Sequence, residues 1–165
     1  MENPEVVYRK FIEFEEQAAA IYFLMASRFS PQNPEVTALW LDMGIQEKEH
    51  AGLLQFCLIE GLFAETRPSD EQVTRLETEF AGLSKRAAEA NLSVENAFKI
   101  AIAMETSEVN DIYSYLTTPL HASTYLLRRK IAASMPDHVE RLLQEGRKHG
   151  VDESAMKSLE RVHKA

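Results

Sequence analysis

Cysteine is almost missing: Cys57 is the only one in 165 residues. A single thiol excludes an intrachain disulfide and any C-x-x-C metal knuckle, and Cys57 reads as a small core residue. Basic residues are short as well, 18 Lys and Arg against 26 Asp and Glu, for a net charge of −8. That balance argues against a nucleic-acid surface, and the one basic run, LLRRK at 126–130, reads as a solvated helix face. No apolar run approaches the roughly 20 residues needed to span a membrane. The opening MENPEVVYRKFIEFEE is acidic and amphipathic, unlike a signal or transit peptide, so the cytoplasm is the expected location. Alternation at period two is also lacking, and with it the mark of a half-buried strand.

What remains is helical periodicity cut by punctuation. The first helix is expected from about Pro4 to Phe29, ending at SPQNP. Asn33 is then an N-cap with Pro34 at the first helical position, and the second helix runs to about Glu60 before Gly61. Ser69 with Gln72 resembles a capping box opening a charged outer helix over 69–90. Ser93 caps a third long helix ending near Thr117–Pro119. A fourth long segment runs from about His121 to Lys148, before Gly150, and a short tail helix starts at Asp152. Pro136 should kink the fourth segment, because it removes a backbone hydrogen bond while the apolar pattern continues in phase. The length suits one domain, 1–165, and the class is all-α: an antiparallel four-helix bundle with helices roughly 40 Å long.

Steps of three and four trace one face of each long helix. They give Tyr8, Phe11, Glu15, Ala18, Tyr22, Met25; then Val36, Trp40, Met43, Glu47, His50, Leu54, Cys57. The later stripes are Val94, Phe98, Ala101, Glu105, Glu108, Ile112, Tyr115, and Leu127, Ile131, Met135, His138, Leu142. Each is apolar except near its centre, which carries Glu15, then Glu47 and His50, then Glu105 and Glu108, then His138. A buried carboxylate without a partner costs several kcal/mol or more, so it is normally neutralised, paired or bound to metal. Two imidazoliums balance only two of four acids; one or two dications would balance the rest and prefer these ligand types. Residues three apart on a helix are neighbours, so Glu47 and His50 can reach one ion. A lone Glu-x-x-His is a weak signal, and it is the coincidence in four stripes that carries weight. His121, His149 and His163 lie near segment ends and read as exposed, and Glu13, Glu16 and Glu49 fall off the stripe and read as solvated. The two halves echo each other: Glu15 precedes His50 by 35 residues and Glu105 precedes His138 by 33, as in a duplicated helix pair.

The stretches EFEEQAAAIYFLMA (13–26), IQEKEH (45–50), AIAMETSEVNDIY (101–113) and IAASMPDH (131–138) resemble the ferritin-like superfamily, nearest to rubrerythrin-type di-iron bundles. That class takes one Glu from each of two helices and a Glu-x-x-His from each of the others. The resemblance implies Glu15 and Glu105 as the single-helix ligands, and Glu47 as a bridging or terminal carboxylate with His50 its imidazole partner. It implies Glu108 as the extra acid and His138 as the second histidine. Two features depart from the pattern. The second Glu-x-x-His reads Met135-x-x-His138, so a bridging carboxylate is missing; Glu108 could substitute, and Asp137 sits about 100° away around the helix. The four cysteines of a rubredoxin-like module are absent, so any reductant comes from another protein or small molecule.

The resemblance implies a non-haem iron protein, with two ions and with zinc or manganese as other candidates. It would be an oxidoreductase that oxidises ferrous iron with peroxide or dioxygen and draws on an external electron donor. Tyr22 and Tyr113 are read either as hydrogen-bond donors to the ligands or as packing. Two alternatives stand beside it. One is a metal-binding module with a single ion and no redox turnover. The other is a structural homo-oligomeric bundle, a homodimer or a partner-binding bundle with a vestigial site, in which Phe14, Ile21 and Phe56 could face a neighbour; burial of these three within the monomer is the expected arrangement.

Overall fold

The computed structural model describes residues 3–64, 68–108 and 138–163, with the side chains of Glu108, Val162 and His163 outside the description. Met135, Pro136, Asp137, Tyr113, His121 and the basic run 126–130 also lie outside the described residues, and with them the expected kink. Among the described residues the protein is all-α and has no strand.

Each helix starts where a side chain can take up its free amides. Asn3 accepts from the Glu5 amide and opens α1 (Pro4–Phe29), with Pro4 in the first turn. Asn33 accepts from the Val36 amide at 3.2 Å and opens α2 (Pro34–Glu60). Gly61 closes it at φ 66°, and the Leu62 amide bonds back to the Cys57 carbonyl. Ser69 and Gln72 form a reciprocal capping box at α3 (Asp70–Ala87). Ser93 accepts from the Asn96 amide ahead of α4 (Val94–Glu108). Helical residues 138–148, here α5, end at Gly150 with φ 70°. Asp152 then accepts from the Ala155 amide and starts α6 (Glu153–His163).

α1 and α2 form an antiparallel hairpin, and its register is read from its contacts. Tyr8 lies beside Ala64, Glu16 pairs with Lys48, and Gly44 sits against the Phe23 ring, where an added methyl would lie 2.6 Å away. α3 covers the outside of α1, with Phe80 against Phe14 at a ring separation of 5.3 Å, and buries Val73, Leu76, Leu83 and Ala87 as well. α4 meets α1, α3 and α6. α5 is tied to α2 by Arg141, which donates to Gln46 and pairs with Asp42 at 3.5 Å. The Arg28 guanidinium donates to the Glu89 and Ala88 carbonyls and fastens the end of α1 to the α3–α4 link.

Between these helices lies an apolar core. Trp40 is fully buried, stacks on Tyr22 at 5.9 Å and meets Phe98 at 4.8 Å. Phe14 and Ile21 are buried as expected, whereas Phe56 departs from that expectation and is exposed, because its position on α2 faces away from the α1 and core side. His149 departs from the expectation of exposure. Its ring stacks on Phe98 at 5.6 Å and its Nε2 is buried, because the chain turns at Gly150 and folds α6 back against α4. Burial pushes the Cys57 thiol up to about 11, consistent with a core residue.

The charged sequence of α3 disguises a structural clamp. Phe80→Ala removes a fully buried ring and is expected to lower stability by about 3–5 kcal/mol. Urea denaturation followed by circular dichroism measures it. A loss below about 1 kcal/mol would show that α3 is dispensable to the core.

Candidate metal centre

α1 contributes Glu15, α2 Glu47 and His50, α4 Glu105, and α5 His138. All five are buried, none more than 4% exposed. Their positions follow from helical arithmetic. Glu47 and His50 are one turn apart, and each of the five adjoins an apolar residue of its own stripe: Ala18, Met43, Leu54, Ala101 and Leu142.

The five resolve into two groups that share one carboxylate. Glu15, Glu47 and His50 form the first, and Glu47, Glu105 and His138 the second; within each, one ligand atom per residue lies within 4.8 Å of the others. Glu47 turns a different oxygen to each side. Its Oε2 lies 3.0 Å from His50 Nδ1, and its Oε1 lies 3.4 Å from His138 Nδ1. Glu15 Oε2 is 3.7 Å from His50 Nδ1, and Glu105 Oε1 is 3.5 Å from His138 Nδ1. The two imidazole rings stand 5.4 Å apart.

Electrostatics make this cluster incomplete as bare protein. Burial and the neighbouring Glu105 and Glu15 carboxylates hold the Glu47 carboxyl well above the usual range. Burial also pulls Glu105 upward, but His138, the Tyr22 hydroxyl and His50 outweigh it and leave that carboxyl below its ordinary value. Tyr22 donates from its hydroxyl to Glu105 Oε1 at 2.7 Å. Among the described residues, both oxygens of Glu15, Glu47 Oε1 and His138 Nε2 are buried without a hydrogen-bond partner. Orphaned acceptors at the centre of a core are costly unless something positively charged meets them. Carboxylate oxygens and imidazole nitrogens within mutual reach form a donor set suited to a divalent cation, so the residues fit one.

The sequence named all five, and the structure brings all five together. The side chain of Glu108, the sixth candidate, lies outside the described residues. Glu13, Glu16 and Glu49 are exposed as expected, with Glu13 paired to Lys10 and Glu16 to Lys48. Tyr22 proves to be both a donor to Glu105 and a packing residue against Trp40. Arg141 escaped the sequence reading. It follows His138 by three residues, so the same spacing rule would have flagged it; its contacts to Gln46 and Asp42 hold α5 in register beside Glu47.

Neither the curated proteins nor the solved structures gave a match to this chain. Among protein families, the one described as Rubrerythrin matches residues 9–165, which include the whole cluster. With that match spanning nearly the full sequence, the chain belongs to the rubrerythrin family, a ferritin-like di-iron carboxylate class.

Proposed function

We propose that this protein binds two iron ions in its bundle and couples their oxidation to the reduction of peroxide or dioxygen, using electrons from an external donor. The observation that carries the reading is Glu47, whose two oxygens serve two separate donor groups. One group would take Glu15, Glu47 and His50, and the other Glu47, Glu105 and His138. Iron held there supplies the redox couple for oxidant reduction. The chain does the rest. Glu47 links the two positions, and Tyr22 fixes the rotamer of Glu105 through its hydroxyl. Trp40, Met43, Leu54 and Phe98 keep bulk water out of the core around the site. One cysteine cannot supply the four thiolates of a rubredoxin-type centre within these 165 residues, which supports a donor outside them. A single-ion reading is favoured by one feature, Met135 where the second Glu-x-x-His calls for a carboxylate.

Metal analysis by plasma mass spectrometry separates the two. Protein loaded anaerobically with ferrous iron is expected to hold two ions per chain, and peroxide consumption with a supplied reductant should exceed that of free iron. One ion per chain, with no turnover, favours the binding module. Glu47→Gln should abolish uptake at both positions while the metal-free variant melts no lower than the parent, since it removes a buried charge site. A variant that still binds two ions would refute the shared role.

Metal uptake should also depend on pH with a definite sign. The Glu47 carboxyl holds its proton above the usual range, and a cation must displace it. Affinity therefore rises with pH through that interval and falls in acid. Calorimetric titrations in buffers of different ionisation enthalpy would register the released proton, and binding without release contradicts this account. Tyr22→Phe leaves the ring packing but removes the hydroxyl from Glu105, and should weaken metal affinity roughly 10–100-fold. Unchanged affinity would reduce Tyr22 to a packing residue.

A further inference from the structure

α3, α4 and α6 border an open cleft of about 560 Å³, within the roughly 300–1,000 Å³ typical of small-molecule sites. None of the five residues of the candidate centre lines it. α4 stands between the two: Ile102 and Thr106 face the cleft, and Glu105 belongs to the centre. One hydrogen bond fixes the register of the walls. Ser107 of α4 donates to Glu79 of α3 at 2.6 Å. Arg86 lies seven residues on along α3, and Lys99 eight residues back along α4, and both line the cleft. The two helices therefore run antiparallel here, and the cleft has a cationic end and an acceptor end about 12 Å apart.

Between these ends the floor is apolar. Leu83 and Ile102 form it, and the small residues Gly82, Ala103 and Ala155 keep its walls low and flat. A glycine in mid-helix weakens the helix, and no packing demands one at Gly82, where an added methyl would meet nothing within 4 Å. At the cationic end the Lys99 ammonium is shared by Glu95 at 2.7 Å and Asp152 at 3.1 Å. Arg86 is exposed and has no ion pair among the described residues. At the other end the hydroxyls have committed their hydrogens: Thr78 donates to the Thr74 carbonyl, Thr106 to the Ile102 carbonyl and Ser107 to Glu79. What they and the Glu79 carboxylate turn to the cleft is oxygen lone pairs. We propose that this cleft binds a small planar aromatic carboxylate that also carries an N–H donor. Its carboxylate takes the forked donors of Arg86, its ring lies on Leu83 and Ile102, and its N–H points to the oxygens at the Glu79 end. A chain of net charge −8 repels anions at long range, so an uncommitted guanidinium over an apolar floor selects an acid with a ring to bury.

Indole-3-propionate has all three features and serves as the probe. Titration calorimetry on the full chain should show saturable binding of one molecule per chain. 3-Methylindole lacks the carboxylate and naphthalene-1-propionate lacks the N–H; each should bind roughly tenfold more weakly, the scale of one lost charge-assisted hydrogen bond. Arg86→Gln should weaken the probe by about the same factor and leave 3-methylindole unchanged. Gly82→Leu should fill the cleft and abolish binding, while the variant melts no lower than the parent, because the position is helical, exposed and free of contacts. An isotherm without saturation, equal affinity for the three compounds, or binding that survives Gly82→Leu would each overturn the proposal. Metal-free protein suffices for every titration, so the result does not depend on what the centre holds.

Discussion

The bundle is organised by the need to keep three carboxylates and two imidazoles together where water cannot reach them. Glu15, Glu47 and Glu105 outnumber His50 and His138, and several of their polar atoms have no hydrogen-bond partner among the described residues. In a medium of low effective dielectric, this imbalance drives the groups' protonation apart: Glu47 is held above the ordinary range and Glu105 below it. A cluster so poised favours a cation and, without one, favours retained protons. The surrounding fold bears the cost of holding these groups in the core.

What lets the fold bear it is local order set by inexpensive devices. Asn caps with proline at the first turn fix where α1 and α2 begin, the Ser69 capping box fixes the start of α3, and Gly61 and Gly150 fix where α2 and α5 end. Start and stop determine phase, and phase decides which side of a helix is buried. The α1–α2 hairpin then brings Glu15 opposite Glu47 and His50, so one complete donor group belongs to contiguous chain. The second group depends on two later helices, and Arg141 and Tyr22 hold its members in place from outside.

Legibility in the sequence followed the same division. Helix limits at Pro4, Phe29, Pro34, Glu60 and Ser69 could be read because the capping chemistry is local. The five site residues could be read because polar side chains interrupted otherwise apolar stripes at one depth. Contacts between distant segments could not. Nothing near His149 announces that Phe98 will cover its ring, and nothing in the charged run of α3 announces that Phe80 will reach Phe14. Those depend on how helices cross, which periodicity within one helix does not encode. The choice for Tyr22 between packing and donating had no local answer either, since its two faces serve both ends at once.

The aromatic contact behind the centre has an optical consequence. Trp40 is the only tryptophan in the chain, it is wholly buried, and its ring lies on that of Tyr22, whose hydroxyl touches Glu105. The tryptophan emission therefore originates from one indole, two contacts away from a carboxylate of the candidate centre. A short path of two contacts, the Tyr22 hydroxyl on Glu105 and the Tyr22 ring on the indole, thus joins that carboxylate to the chain's one intrinsic indole fluorophore.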